Sequence, residues 1–325
     1  MVEPAVVMST NEGARRPTWS HRLEYAGLRA VLAVADRLPI ERLAGIGAAI
    51  LTMVGPRLRQ NRRAMRNLAV AFPDKTPAEH AVIARAMWAN MGRTFAETLV
   101  LERLVSDPGR IELPESETWR NRSAEPNPIV ALGLHMGNWE LLAAPFTAFG
   151  RNLTGVYKPL DNPLIDAWLI RTRSVLYPGG LLGKGDRDDE TGAGQRTARQ
   201  LIDRARTAGN TLCFVCDHFD RRGEPIPFMG ATGRFTTAPE AIARHVNARV
   251  WVARCLRIGS SSRFRIEVSE IAVPRTGDRK ADALALTTTV FTMFEAWVRE
   301  HPEQWMWWNT RWVEAKTEPA IDERS

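Results

Sequence analysis

The sequence predicts an α/β protein: a mostly parallel central sheet flanked by helices, with a helical N-terminal portion. Three observations carry this. Stretches that read as strands recur at 128–134, 152–157 and 211–216, and the first is apolar at nearly every position, as a strand buried on both faces is. Helix-periodic segments at 164–176 and 197–208 lie between them, the alternation that builds a parallel sheet. Ahead of residue 106 the apolar spacing is three and four, with no strand pattern. No internal repeat or linker divides the chain, so 19–313 is expected to form one domain between polar tails at 1–18 and 314–325.

The elements follow in order. Residues 1–18 carry Pro4, Gly13 and Pro17 and lack the apolar core of a signal peptide, so a disordered tail is expected. From 19 to 35, Leu23, Ala26, Ala30, Val31 and Val34 fall at helical spacing. Residues 43–55 are uncharged but too few to span a bilayer, which takes about 20 residues of helix. Arg57, Arg59, Arg62, Arg63 and Arg66 follow at once. Two readings fit: helices on an anionic membrane surface, with 19–66 as the membrane-associating part, or a core helix with a solvated basic face. Thr76, Pro77 and Glu79 form a helix start, and Ile83, Met87, Trp88, Met91 and Phe95 share one face of that helix. Residues 106–127 read as a connection with at most one short strand, and 139–149 as a helix. The glycine-rich stretch 179–194 reads as a mobile loop. After the strand at 211–216 come a helix at 239–247, strands at 249–258 and 263–268, and a long helix at 282–300.

Composition narrows the partner. A net charge of +7 and a pI near 9.8 favour an anionic one: nucleic acid, an anionic membrane face, or a phosphorylated or acidic substrate. The arginines lie along helices beside apolar runs and no nucleic-acid motif occurs, which argues against nucleic acid. Eleven tryptophans against three tyrosines fit either a membrane boundary or an aromatic core. Cys213 and Cys216 form C-x-x-C inside a strand, where positions three apart point to opposite faces, so they read as packing residues. No H-x-x-x-H or dense His cluster supports zinc, no glycine loop supports a nucleotide, and no G-x-S-x-G supports a hydrolase elbow.

The chemistry centres on His135-Met-Gly-Asn-Trp-Glu140, at the carboxyl end of the 128–134 strand, where α/β proteins place their sites. Residues five apart on a regular helix lie about 140° apart, so His135 and Glu140 meet only if a turn through Gly137 folds the carboxylate back. The expectation is a general base, His135, oriented by Glu140, with amides of the following helix stabilising an oxyanion. A satisfied histidine at a buried turn is the alternative.

This block resembles the H-x4-D/E block of the lysophospholipid acyltransferase superfamily. Four further blocks match in family order: Arg66-Asn-Leu-Ala-Val-Ala-Phe-Pro73 before it; then Tyr157-Lys-Pro-Leu-Asp-Asn-Pro-Leu-Ile-Asp166; Asp217-His-Phe219 with Pro227-Phe-Met-Gly230, Thr236 and Thr237; and His301-Pro-Glu-Gln-Trp305. Together they resemble the bacterial late acyltransferases of lipid A biosynthesis, the lauroyl/myristoyl transferase family. The resemblance implies a glycerol-3-phosphate acyltransferase-like fold at the cytoplasmic face of the bacterial inner membrane; many relatives have a clearer N-terminal anchor, and the short apolar run here predicts peripheral or monotopic attachment instead. It implies transfer of a fatty acyl chain from acyl-carrier protein, or coenzyme A, to a hydroxyl of an anionic glycolipid, with no metal and no cofactor beyond the donor.

By position, the resemblance makes His135 the base and Glu140 its partner. Arg173, and less directly Arg171, are candidates for a substrate or donor phosphate. Asp217 is the second acidic residue, and Asn138 a further candidate contact. Solvated arginines, a turn carboxylate and a turn-capping amide are the alternatives for these positions. Lys158 stands where many relatives have arginine, a point charge in place of a bidentate fork. Rival readings are another acceptor (a phosphatidylinositol mannoside, an ornithine lipid or a lysophospholipid) or a non-catalytic membrane-surface protein of the same fold.

Overall fold

The computed structural model describes residues 16–184, 193–309 and 312. The tail at 314–325, most of the tail at 1–18, and 185–192 of the expected loop lie outside them.

Five helices come first: α1 (Trp19–Ala35), α2 (Ile40–Val54), α3 (Arg59–Ala71), α4 (Pro77–Thr98) and α5 (Leu101–Val105). The start of α4 is a capping box as its sequence predicts: the Glu79 amide donates to Thr76 Oγ1 at 3.3 Å, and the Thr76 amide to Glu79 Oε2 at 2.7 Å. Then follow β1 (Ile111–Glu112), α6 (Glu117–Ala124) and β2 (Ile129–Gly133), and a 3-10 turn at Trp139–Ala143 runs into α7 (Ala144–Ala148). Next are β3 (Asn152–Tyr157), α8 (Pro163–Arg173), β4 (Leu181–Gly183), α9 (Ala193–Arg206) and β5 (Asn210–Val215). The remainder is β6 (Phe219–Phe228), β7 (Ala231–Phe235), α10 (Ala238–Val246), β8 (Arg249–Arg257), β9 (Phe264–Ile271) and α11 (Arg279–Glu300).

The main sheet has seven strands in the order β1-β9-β8-β2-β5-β3-β4. Its pairings are parallel except β8 with β9. β2 lies at the centre and every residue of it is buried, which is why its sequence shows no polar alternation. Successive residues still face opposite ways. Val130 and Leu132 join a core that includes Leu68, Met87 and Phe291, whereas Ile129 and Ala131 join one that includes Leu43, Trp119 and Phe146. Cys213 and Cys216 divide between these two cores as packing residues.

The N-terminal helices are built into the domain. Gly47 and Gly92 let α2 and α4 touch backbone to backbone: a Cβ on either would meet the other's carbonyl oxygen, at 2.3 and 2.1 Å. Leu43, Ala44 and Ala48 of α2 are buried here, while Ile46, Ile50 and Met53 face outward. The core-helix reading therefore holds for one face of α2, and the other is an exposed apolar stripe. On α4, Met87, Trp88 and Met91 are buried, but Phe95 is half exposed and meets Trp139 edge-on.

Some elements differ from expectation. α6 occupies part of the expected connection, and β4 part of the expected loop. β6 and β7 form an antiparallel hairpin where the sequence suggests no strand. Charges together with Pro225 and Pro227 hide its pattern. Its tip, Met229-Gly230, holds positive φ at both residues, the two-residue turn that suits strand twist.

Candidate active site

The site lies at the carboxyl ends of β2 and β5. These strands pair in parallel with Gly133 opposite Val215, and the chains leave the sheet side by side. Two residues further on stand His135 and Asp217. His135 Nδ1 is 2.6 Å from Asp217 Oδ1, and the His135 amide donates to Asp217 Oδ2 at 3.0 Å. Trp305 Nε1 donates to the same Oδ2 at 2.8 Å, and Asn309 Nδ2 lies 3.0 Å from His135 Nδ1. Asp217 is fully buried. Burial alone would push its carboxyl up, but the His135 charge and the bonds from His135 and Trp305 outweigh it and hold the group below the usual carboxylate range.

The partner of His135 is thus Asp217, which corrects the expectation that Glu140 orients the ring. The cause is strand register. Glu140 sits on the 3-10 turn and faces α8, where Arg173 grips it bidentately: Nε to Oε2 at 2.6 Å and Nη2 to Oε1 at 2.5 Å. Asp217, expected at the substrate, has no exposed surface with which to touch one.

The turn between His135 and Glu140 is held from several sides. Gly137 has φ +59°, and a Cβ there would meet the Cys255 carbonyl oxygen at 2.0 Å. Its own carbonyl accepts from Asn90 Nδ2 at 3.0 Å and Thr94 Oγ1 at 2.9 Å. Asn138 is buried: its Oδ1 accepts from the Glu140 amide at 3.2 Å, and its Nδ2 donates to Glu97 Oε2 at 2.9 Å. Glu97 is fully buried against Arg257, Nη1 to Oε1 at 2.5 Å and Nη2 to Oε2 at 2.8 Å. Asn138 therefore caps the turn and ties it to a buried ion pair, which replaces its expected role as a substrate contact.

Several amides of the expected oxyanion site are also committed. The Met136 amide donates to Leu134 O at 2.8 Å, Gly137 to Gln304 O at 2.9 Å and Leu141 to Asn138 O at 3.1 Å. With His135 and Glu140 committed as above, five amides of this turn are satisfied within the protein.

His135 opens onto a cavity of about 390 Å³. Val156, Leu160, Leu169, Leu181, Leu201 and Ile242 supply apolar wall, and Lys158, Lys184, Arg173 and His218 supply basic groups. Lys158 is exposed on the lining; Arg171 is exposed and is not part of it. His218 keeps an exposed face, but partial desolvation, then the neighbouring His135, holds it below the usual imidazole value, with Lys184 and Lys158 adding to the effect and Asp217 opposing it. Cys213 also lines the cavity, but burial pushes its thiol up to about 11, so it stays protonated and unreactive at neutral pH. Among the described residues no three His, Cys, Asp or Glu side chains converge as a metal site.

Sequence reading missed His218, Lys184, Trp305 and the Glu97–Arg257 pair as parts of the site. His218 follows Asp217, and Trp305 closes the last of the family-like blocks, so both carried a signal. Glu97 and Arg257 are 160 residues apart, and no local pattern joins them.

The mostly parallel sheet thus carries a His–Asp pair at its strand ends, beside a cavity with apolar walls and basic groups. The family model of the bacterial lipid A biosynthesis acyltransferases matches residues 18–314, and the chain belongs to that family. Its reaction class is acyl transfer in lipid A biosynthesis. Comparison with curated proteins gave no match.

Proposed function

We propose that the protein moves a lauroyl- or myristoyl-type acyl chain from a thioester donor to a hydroxyl of a lipid A precursor, with His135 as general base and Asp217 as the residue that positions it. One observation carries this reading: His135 is fixed at Nδ1 by a buried carboxylate while it lines a cavity with apolar walls and basic groups. The Asp217 bond sets the tautomer and leaves Nε2 free to take a proton; Nε2 makes no hydrogen bond among the described residues.

The acceptor hydroxyl gives its proton to Nε2 as its oxygen attacks the thioester carbon. Collapse of the tetrahedral intermediate re-forms the carbonyl and breaks the C–S bond, and the thiolate leaves with the electron pair and takes the proton from His135. Cys213, the thiol on the cavity wall, is held protonated, which favours direct transfer over an acyl-enzyme on that residue. Lys158 and Lys184 would meet the acceptor or donor phosphate. Arg173 holds Glu140 and shapes the cavity beside them. No metal or cofactor enters a step.

Acyl-carrier protein is the proposed donor partner, with coenzyme A as the alternative carrier. The proposed workplace is the cytoplasmic face of the inner membrane, approached through Trp19 and Leu23 of α1 and the exposed stripe of α2. No helix among the described residues is long and apolar enough to cross a membrane.

The test is transfer of a labelled acyl chain from acyl-carrier protein to a lipid A precursor. His135→Ala is expected to lower kcat by about 10²–10⁴-fold. Equal transfer by wild type and His135→Ala would remove His135 as the base.

A further inference from the structure

Acyl transfer from a thioester builds negative charge on the carbonyl oxygen, and an enzyme that speeds it supplies donors aimed at that charge. This inference rests on the reading above. The amides of the 135–141 turn are the usual source of donors at a strand-to-helix junction, and five of them are already bonded within the protein. The cavity side chains are the other source of donors. Arg173 gives Nε and Nη2 to Glu140. The Tyr157 hydroxyl donates to Asp166 Oδ2 at 2.9 Å.

His218 differs from both. It follows Asp217 directly and lines the same cavity. Its ring centre is 5.5 Å from that of His135, and its nitrogens make no hydrogen bond among the described residues. A hydroxyl bonded to His135 Nε2 stands about 2.8 Å from it and attacks a carbonyl carbon roughly 3 Å further on. The carbonyl oxygen then lies about 4–5 Å from Nε2, within reach of a second imidazole at the separation observed.

The geometry points to His218 as a catalytic residue whose ring N–H hydrogen-bonds the oxyanion of the tetrahedral intermediate. Attack forms the C–O bond and moves the carbonyl π pair onto oxygen, where His218 donates; His135 holds the acceptor's proton. On collapse the pair returns to the carbonyl, the C–S bond breaks, and the hydrogen bond to His218 weakens as the charge disappears. His218 gains and loses no proton. Partial desolvation and the neighbouring His135 favour the neutral ring this role requires. A neutral imidazole is a recognised electrophile for a developing oxyanion.

The experiment compares wild type, His218→Ala and His218→Gln for kcat and KM with an acyl thioester. It also measures the affinity of each for a phosphonate analogue, which is tetrahedral and anionic at phosphorus. His218→Ala is expected to lose about 10²–10³-fold in kcat with KM changed less than about threefold. The phosphonate should bind His218→Ala more weakly by a comparable factor, and His218→Gln, which keeps an N–H donor, should recover about tenfold in kcat. A kcat for His218→Ala within about threefold of wild type, a loss confined to KM, or a glutamine variant that folds and is no better than alanine would overturn the assignment. A wild-type protein that transfers from no thioester would instead remove the acyl-transfer reading itself.

Discussion

At the scale of single residues, Glu240 is a buried carboxyl held by little hydrogen bonding. It is fully buried in the first turn of α10; among the described residues neither oxygen has a partner of good hydrogen-bond geometry, and the nearby Thr287 only partly opposes the effect of burial. Burial pushes its carboxyl up to about 7. The unfolded chain ionises this group near the ordinary glutamate value, so the folded state binds the extra proton between there and about 7. Stability should fall as pH rises through that window and level off above it, by on the order of 3 kcal/mol in all. Glu240→Gln is expected to flatten this slope in urea denaturation at several pH values; an unchanged slope would assign it to another group. Glu140→Gln breaks the bidentate pair with Arg173. The arginine retains some access to the cavity, so the expected loss is roughly 2 kcal/mol with a raised KM, read by denaturation and steady-state kinetics. His135 was legible in the sequence because a histidine ending a buried strand is a local signal. Its partner was not, because Asp217 is 82 residues away and reaches it only through the β2–β5 register.

At the scale of elements, the site depends on how β2 is stopped. Gly137 turns the chain at positive φ against the Cys255 carbonyl on β8, and Met136 bridges to Trp305 from the far end of the chain. Gly137→Ala combines a left-handed alanine with a backbone clash. It should cost about 3 kcal/mol or more and lower kcat by displacing His135. A variant as stable and active as wild type would show that the turn can relax. The strands at 129–133 and 210–215 were legible from their apolar runs, and 152–157 from its short β-prone stretch. The β6–β7 hairpin was not, because its prolines and charges follow an edge pattern that single-sequence periodicity does not report. The 3-10 start at Trp139–Ala143 escaped notice for a related reason: Asn138 caps it through a bond to buried Glu97, a contact made across the fold.

At the scale of the whole molecule, the proposed membrane contact combines the net charge of +7 with the exposed apolar face of α2. Glutamate at Ile46, Ile50 and Met53 is expected to weaken binding to anionic phospholipid vesicles by roughly tenfold or more in a sedimentation assay. Transfer to a detergent-dispersed acceptor should be retained. Unchanged vesicle binding would move the membrane contact elsewhere. The α/β class and the places of its main strands along the chain could be read from alternating patterns, whereas their order in the sheet and the joining of α2 to α4 through Gly47 and Gly92 could not, since two glycines 45 residues apart carry no pairing signal. The central claim is that a buried Asp217 makes His135 a base. Its most direct test is kcat for acyl transfer to a lipid A precursor by Asp217→Asn beside Glu140→Gln. The account predicts a loss of about 10²–10⁴-fold for Asp217→Asn, with KM little changed and a smaller kcat loss for Glu140→Gln. Wild-type kcat in Asp217→Asn, with the loss falling on Glu140→Gln instead, would contradict it.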